Sequence, residues 1–426
     1  VALGMLVWTA VFGILPVAGA ATSLEAARAE ATVWTLDSLL ARALYHNPSL
    51  LAARSLVDQA QGRLIDAGRL ENPTVNLSYG SDQAFNNEGE NRMSLGFTQK
   101  FPITQRLKLQ RTIARDAVDL VQVEILDHER LLRRDVELAV YALAETVAER
   151  QLLDRLIVFN RECLKFIESR IKLGEASEVD ANRLQLEIYS LEQAYQQLEN
   201  VALEQTAALR QLCGLSETAA LELDFELILP AAEPDLVVLT QSKLEQHPAY
   251  QMGHGLLQLA EVNLSLVRAE RWGDIEVEIF YEAERGVDAP TGLGRDRFFG
   301  LGLSLPLPLN NRNRGQIAER QAQRAQLHFE LKAIEAQLRS EADTQCQIVR
   351  RTYQQAVHYQ TEVTPTVEAN LRVMNEAYAA GQINLTDLFR TQEQSLRIQS
   401  TQLQLLRQLA ESQSRWRAAT GLKNQN

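Results

Sequence analysis

Four short stretches alternate apolar and polar side chains with a period of two, which predicts strands with one apolar and one polar face. In residues 74–80, Val75, Leu77 and Tyr79 oppose Asn76, Ser78 and Gly80. In 92–101, Met93, Leu95, Phe97 and Phe101 oppose Arg92, Ser94, Gly96, Thr98 and Lys100. In 275–284, Ile275, Val277, Ile279 and Tyr281 oppose Glu276, Glu278, Glu282 and Glu284. In 297–305, Phe299, Leu301, Leu303 and Leu305 oppose Phe298, Gly300, Gly302 and Ser304. Each run is near the roughly 9–11 residues that cross an outer membrane at a tilt. Polar, glycine-containing loops at 81–91 and 285–296 join the runs into two hairpins.

A different period rules the rest. Residues 103–173 contain neither Gly nor Pro, and as a helix rising about 1.5 Å per residue they extend roughly 100 Å. Gly174 breaks the run. Residues 175–213 form a clean run of 39 residues ended by Gly214. In the second half, 316–380 contains only Pro365, Gly381 breaks it, and 382–420 is again a clean run of 39 residues ended by Gly421. Leu184, Ile188, Leu191, Tyr195 and Leu198 are spaced 4-3-4-3, the seam of a coiled coil. Leu396, Leu403, Leu406 and Ala410 keep that register, with Gln399 between them. Two matched helical hairpins follow.

The equal lengths belong to a tandem repeat offset by about 200 residues. His46-Asn47-Pro48-Ser49-Leu50 matches Gln246-His247-Pro248-Ala249-Tyr250. The stretch from Leu95 to Ile103 matches Leu301 to Leu309, Gly174 with Asp180 matches Gly381 with Asp387, and Cys213-Gly214-Leu215 matches Thr420-Gly421-Leu422. The plan is a signal segment at 1–20, a linker at 21–35, a first repeat at 36–215, a linker at 216–235, a second repeat at 236–422 and a tail at 423–426. Residues 1–20 are uncharged and end in Ala18-Gly19-Ala20, a signal-peptide core with its cleavage site and an export address. A lone membrane anchor is the plainer alternative.

Alternation of this kind suits lipid on one face and water on the other, although a hairpin lying on a soluble core makes the same pattern. Recurrence at the same place in both repeats, beside very long helices, favours lipid. Four strands cannot close a barrel, and open edges in lipid leave backbone groups unpaired at several kcal/mol each. Sister copies must complete it. Two copies give eight strands filled by side chains; three give twelve, wide enough to begin to leave a pore.

Composition removes several classes. With 46% apolar and 23% charged residues, the chain is too polar for a multi-span helical membrane protein, and past residue 20 nothing approaches the roughly 20 apolar residues of a spanning helix. A net charge of −12 argues against nucleic acid as a partner. Cys163, Cys213 and Cys346 form no CxxC pair and read as free thiols. The six histidines are scattered with no zinc spacing; His247 and His254, seven apart, read as packing residues. No catalytic constellation, cofactor motif or metal site emerges, and the chain reads as no enzyme.

Duplicated halves, two strands per half, a proline at each strand-to-helix junction (Pro102, Pro308) and glycine-broken hairpins resemble the TolC family over about residues 36–422. The resemblance implies a mainly α protein with a small β part: a long helical coiled-coil barrel, plus four strands per subunit contributing to a trimeric twelve-stranded transmembrane β-barrel. It implies a homotrimer in the outer membrane, in contact with its lipid. A periplasmic adaptor and an inner-membrane pump, of the RND type, would be its partners. Leu303 to Gly315 is similar to the junction of the heavy-metal, cobalt–zinc–cadmium branch, which implies divalent cations as cargo. Related drug or type I secretion channels, and a periplasmic coiled-coil scaffold without a pore, are the alternatives.

Within that frame, Asp387 matches an acidic residue that rings the closed periplasmic entrance, and Asp180 is its first-repeat counterpart. The next ring position, acidic in the family, is Arg390 here. Either Asp can also serve as an N-cap or first-turn residue. Three copies of Glu276, Glu278, Glu282 and Glu284 would make an acidic lumen. Gly174, Glu175, Gly381 and Gln382 stand at the hairpin tips, the expected adaptor-docking sites.

Overall fold

The glycine- and proline-free runs fold as helices, and the alternating runs fold as one sheet. In the computed structural model the described residues are 33–84, 88–173, 177–236, 238–288 and 292–421. The signal segment, nearly all of the 21–35 linker and the 423–426 tail lie outside them. Strand β1 (Val33–Trp34) leads into helices α1 (Leu36–His46) and α2 (Pro48–Asp66). Strands β2 (Thr74–Ser81) and β3 (Asn91–Phe101) follow, then the long helix α3 (Arg106–Lys172) and its return α4 (Glu178–Cys213). After β4 (Glu222–Leu223) the order recurs: α5 (Gln241–Gln246), α6 (Pro248–Ala269), β5 (Ile275–Asp288), β6 (Gly292–Ser304) and α7 (Arg314–His358). A π-helical turn (Tyr359–Val363) separates α7 from α8 (Thr364–Ala379), and α9 (Leu385–Thr420) returns. Helices α4 and α9 are each 36 residues long.

Two devices join the start of each half to its end. Asn47 caps α2 by accepting from the Leu50 N–H and donates from Nδ2 to the Leu212 carbonyl at 2.9 Å. Its counterpart His247 caps α6 by accepting at Nδ1 from the Ala249 N–H, and its Nε2 faces the Ala418 carbonyl at 3.4 Å. Gly214 (φ 60°) and Gly421 (φ 67°) end the return helices in the left-handed region, pressed against His46 and His247 respectively. Pro48 and Pro248 open their helices, where a missing N–H costs nothing. The short parallel pair β1–β4 ties the N-terminal segment to the stretch after α4.

The four-stranded sheet runs β2-β3-β5-β6, antiparallel throughout. Its second hairpin is longer than the sequence pattern suggests. Where a loop is expected at 285–296, β5 and β6 pair as far as Asp288 and Gly292. The ladder needs only main-chain groups, so the glycine-rich, charged stretch continues it without any apolar alternation.

Helix α3 packs on α4 through the expected seam, with Leu184, Ile188 and Leu191 buried. Helix α9 differs. Leu396 and Ala410 of its sequence-visible seam pack against clusters centred on α3. A second seam buries Leu388, Gln392, Ser395, Leu409, Ser412 and Trp416, and part of it meets α7 around Val349. Polar residues on that seam hid it from an apolar periodicity.

Candidate channel site

Strand register turns alternation into rows. On one face Val75, Phe97, Ile279 and Leu301 lie side by side, and the next row is Leu77, Leu95, Tyr281 and Phe299. Val75, Leu77, Tyr79, Phe299, Leu301 and Leu303 are each about two-thirds or more exposed, so nothing among the described residues covers this face. Both edges, β2 and β6, are without a strand partner among the described residues.

The opposite face is polar but less acidic than the glutamates alone suggest. Arg92 reaches Glu282 at 2.9 Å and Glu284 at 2.8 Å across the β3–β5 ladder. Lys100 stands opposite Glu276 in register, though its ammonium lies 3.7 Å from Glu71. Glu278 sits between Gly96 and Gly302, where a side chain would crowd it. Phe280 lies across Gly300, filling the space of the missing side chain. Two of the four glutamates thus share one arginine, which the alternation had already placed on their face and which offsets one of their two charges.

At the far end of the helices the two hairpins meet. Ile167, Leu184, Ile188 and Leu388 form a buried cluster, with Met374, Tyr378 and Phe389 packed on it. Asp180 and Asp387 stand in the first turns of α4 and α9, where Ser177 and Asn384 are the caps. Neither Asp is an N-cap; both sit in the positive field of a helix start. Tyr378 of α8 packs on this cluster beside Leu184 and Ile188 of α4, and its hydroxyl is held above its usual pKa by burial and by the nearby Cys163 and Asp180. Arg390 is exposed. Gly381 takes φ 70° with open space around it, and Gln382 is exposed beside it. Gly174 and Glu175 lie outside the described residues.

Pro102 follows β3 directly, and Pro308 lies between β6 and α7 at the centre of a tight turn in which the Leu309 N–H donates to the Leu307 carbonyl at 2.8 Å. The clamp at this junction escaped the sequence. Arg106, opening α3, pairs with Asp274 ahead of β5, and Glu71 lies 3.7 Å from the same guanidinium. Trp272, Gly273 and Pro306 complete the corner, Gly273 yielding to the Pro306 ring. A second hidden set joins the two halves along α3 and α9. Arg417 meets buried Glu137 at 2.9 Å, Arg407 meets Glu145 at 2.6 Å, and Ser400 donates to Glu149 at 2.7 Å. Burial and the Glu137 charge push the Tyr141 hydroxyl up to about 12, so it stays protonated. Pairs so distant in sequence leave no local signal.

His247 and His254 do not form a site. His247 is fully buried as a cap, whereas His254 stacks on Tyr250 with centroids 6.4 Å apart. Among the described residues no three His, Cys, Asp or Glu side chains are grouped to hold a metal ion. No described helix is long and apolar enough to cross a membrane.

Residues 39–215 match the family model described as outer membrane efflux protein. Solved structures match nearly the whole chain. The CmeC outer membrane channel of Campylobacter jejuni superposes with a TM-score of 0.76 at 12% identity, covering 91% of this chain and 85% of its own. CusC, described in terms of transmembrane channel formation, gives 0.74 at 15% identity, covering 90% and 91%. The fold is that of the outer membrane channels. The outer membrane protein VceC of Vibrio cholerae agrees, with 0.70 at 17% identity and coverage of 91% and 96%. The family model reaches only the first half of the chain, so the channel fold of the second half rests on shape. No functionally curated protein matches the chain by sequence.

Proposed function

We propose that the chain is one subunit of an outer-membrane efflux channel of the TolC family. It lies in the cell outer membrane with its helices in the periplasm, and it is a passive conduit rather than an enzyme. The observation that carries this reading is the open four-stranded sheet, bare on its apolar face and unpaired at both edges. Lipid would cover the face, and sister subunits would pair the edges. Three copies give a twelve-stranded barrel continued by a tunnel of long helices. We read the chain as two repeats, 36–215 and 236–422, joined by 216–235.

Energy comes from partners: an RND-type inner-membrane pump and a periplasmic adaptor that docks at the tips around Gly174, Glu175, Gly381 and Gln382. Asp180 and Asp387, each repeated three times at the tip, form the constriction, where low-dielectric walls focus their field. The cargo is divalent metal cations. Support comes from the Leu303 to Gly315 resemblance and from Glu276 and Glu278, which form no ion pair among the described residues.

Reconstitution tests the core reading: purified protein needs detergent and releases a small dye from vesicles. Protein that washes off with salt and leaves vesicles tight would be a scaffold. Asp387→Ala in a planar bilayer should raise single-channel conductance or weaken cation block, and unchanged traces would remove Asp387 from the gate.

A further inference from the structure

At the sheet end remote from the helices, the outward face turns basic. Arg285 and Arg295 are direct cross-strand partners, and Arg297 lies two residues along β6 on the same face, opposite Ala283. Like charges directly opposite each other destabilise a sheet unless something neutralises them. The acids at the neighbouring ladder positions point to the other face. Glu282, Glu284 and Asp296 fall on the inward face, where Arg92 engages the first two. None of the three outward arginines has an ion-pair partner among the described residues. Tyr281 and Phe299 are paired in the row immediately below Arg297, and Tyr79 stands in the row of Arg297 itself; together they form an aromatic belt of the kind that marks the boundary between hydrocarbon and headgroups. Arginine in the hydrocarbon would be costly, but at headgroup level it is not.

We propose that Arg285, Arg295 and Arg297 form a binding site for the phosphate groups of a phosphorylated glycolipid in the outer leaflet. This rests on reading the sheet as an outer-membrane barrel wall. The guanidinium fork suits bidentate phosphate recognition. Because the arginines continue directly from an uncovered apolar face, their ligand must carry acyl chains below and phosphate above, which a free anion does not. The site fixes the height of the barrel in the membrane and screens its own repulsion.

The test uses the full-length protein in neutral phosphatidylcholine nanodiscs containing either bisphosphorylated lipid A or the same lipid dephosphorylated. Native mass spectrometry counts the retained lipid. Each arginine beside an anionic surface is worth roughly fivefold, so the wild type should retain the phosphorylated lipid at least about tenfold better. R285Q/R295Q/R297Q should lose that preference while still releasing dye from vesicles. R285K/R295K/R297K, which keeps the charge, should retain part of it. Equal retention of the two lipids by the wild type, undiminished retention by the glutamine variant, or complete displacement by inorganic phosphate would each overturn the proposal. Failure of the barrel reading would look different: wild-type protein that dissolves without detergent and opens no vesicle.

Discussion

The two helical hairpins have the same length and plan but are held differently. The first is a single unbroken 67-residue helix, α3, against α4, whose seam is zipped by Leu184, Ile188 and Leu191, although α3 itself buries Asn160 with its Oδ1 unpartnered among the described residues. The second is interrupted by the π-helical turn and Pro365, and its return helix buries Gln392 and Ser395 where the first buries leucine and isoleucine. The Gln392 Oε1 is buried and has no protein partner, as has the Asn375 Oδ1 on the adjoining helix. Proline explains the interruption. It lacks an N–H and its ring collides with the carbonyl four residues back, so a regular helix cannot pass through it. A π turn absorbs the mismatch. The difference teaches that matching length does not imply matching construction: the unbroken helix and apolar seam predict that the first hairpin is the stiffer strut and the second the more compliant one.

The largest expected contrast is between equivalent seams. Leu184→Ala empties a fully buried site and should destabilise by about 2–5 kcal/mol. Gln392→Ala removes a group whose oxygen is already unsatisfied and should cost under about 1 kcal/mol. Thermal unfolding of the two variants measures the gap, and equal losses would erase the distinction. A smaller effect is expected from Pro365→Ala, which lets residues 359–366 close as regular helix and should gain roughly 1 kcal/mol of a proline penalty of about 3. Slower hydrogen exchange over 359–366 is the signature; unchanged exchange would mean that something other than the proline softens this hairpin.

The smallest contrast concerns the caps at the start of each half. Asn47 does not titrate, whereas His247 does, and its pKa is lowered by burial and by the nearby Arg130, against weaker opposing effects of the Ala418 carbonyl and Asp127. A folded-state pKa below the usual 6.5 means that the unfolded chain binds the proton more readily. Stability is therefore fully present above about pH 6.5 and declines as the pH falls below it. His247→Asn, copying the first half, should flatten the acid side of a melting-temperature profile. A slope unchanged by the substitution would assign it to other groups.

Much of this was legible in the residues. Proline and glycine placed the breaks between helices to within a few residues, and strict alternation placed both faces of the four strands of the larger sheet, though not the short pair β1–β4. The paired motifs around Pro48 and Pro248 marked what became matching caps. Three things were not legible. The second hairpin's extension to Asp288 and Gly292 is carried by main-chain pairing of glycines and charged residues, which no side-chain pattern records. The α9 seam carries Gln392, Ser395 and Ser412, so a search for apolar heptads found the face turned toward α3 instead. The Arg106–Asp274 clamp and the Arg417–Glu137 pair join residues far apart in the chain, and only the fold brings them together. On the polar face Arg92 was visible in the alternation, but its reach across to Glu282 and Glu284 depends on register.

Strands β2 and β6 are the opposite edges of one sheet, too far apart to touch within a subunit, so a bond between them reports on neighbouring copies. Leu77→Cys combined in turn with Phe299→Cys, Leu301→Cys or Leu303→Cys, oxidised in the membrane and run under denaturing conditions, measures this directly. One of the three pairings should yield covalent dimers and trimers that collapse to monomer on reduction. Monomer alone in every pairing, from protein embedded in lipid, would contradict a barrel sealed by sister subunits.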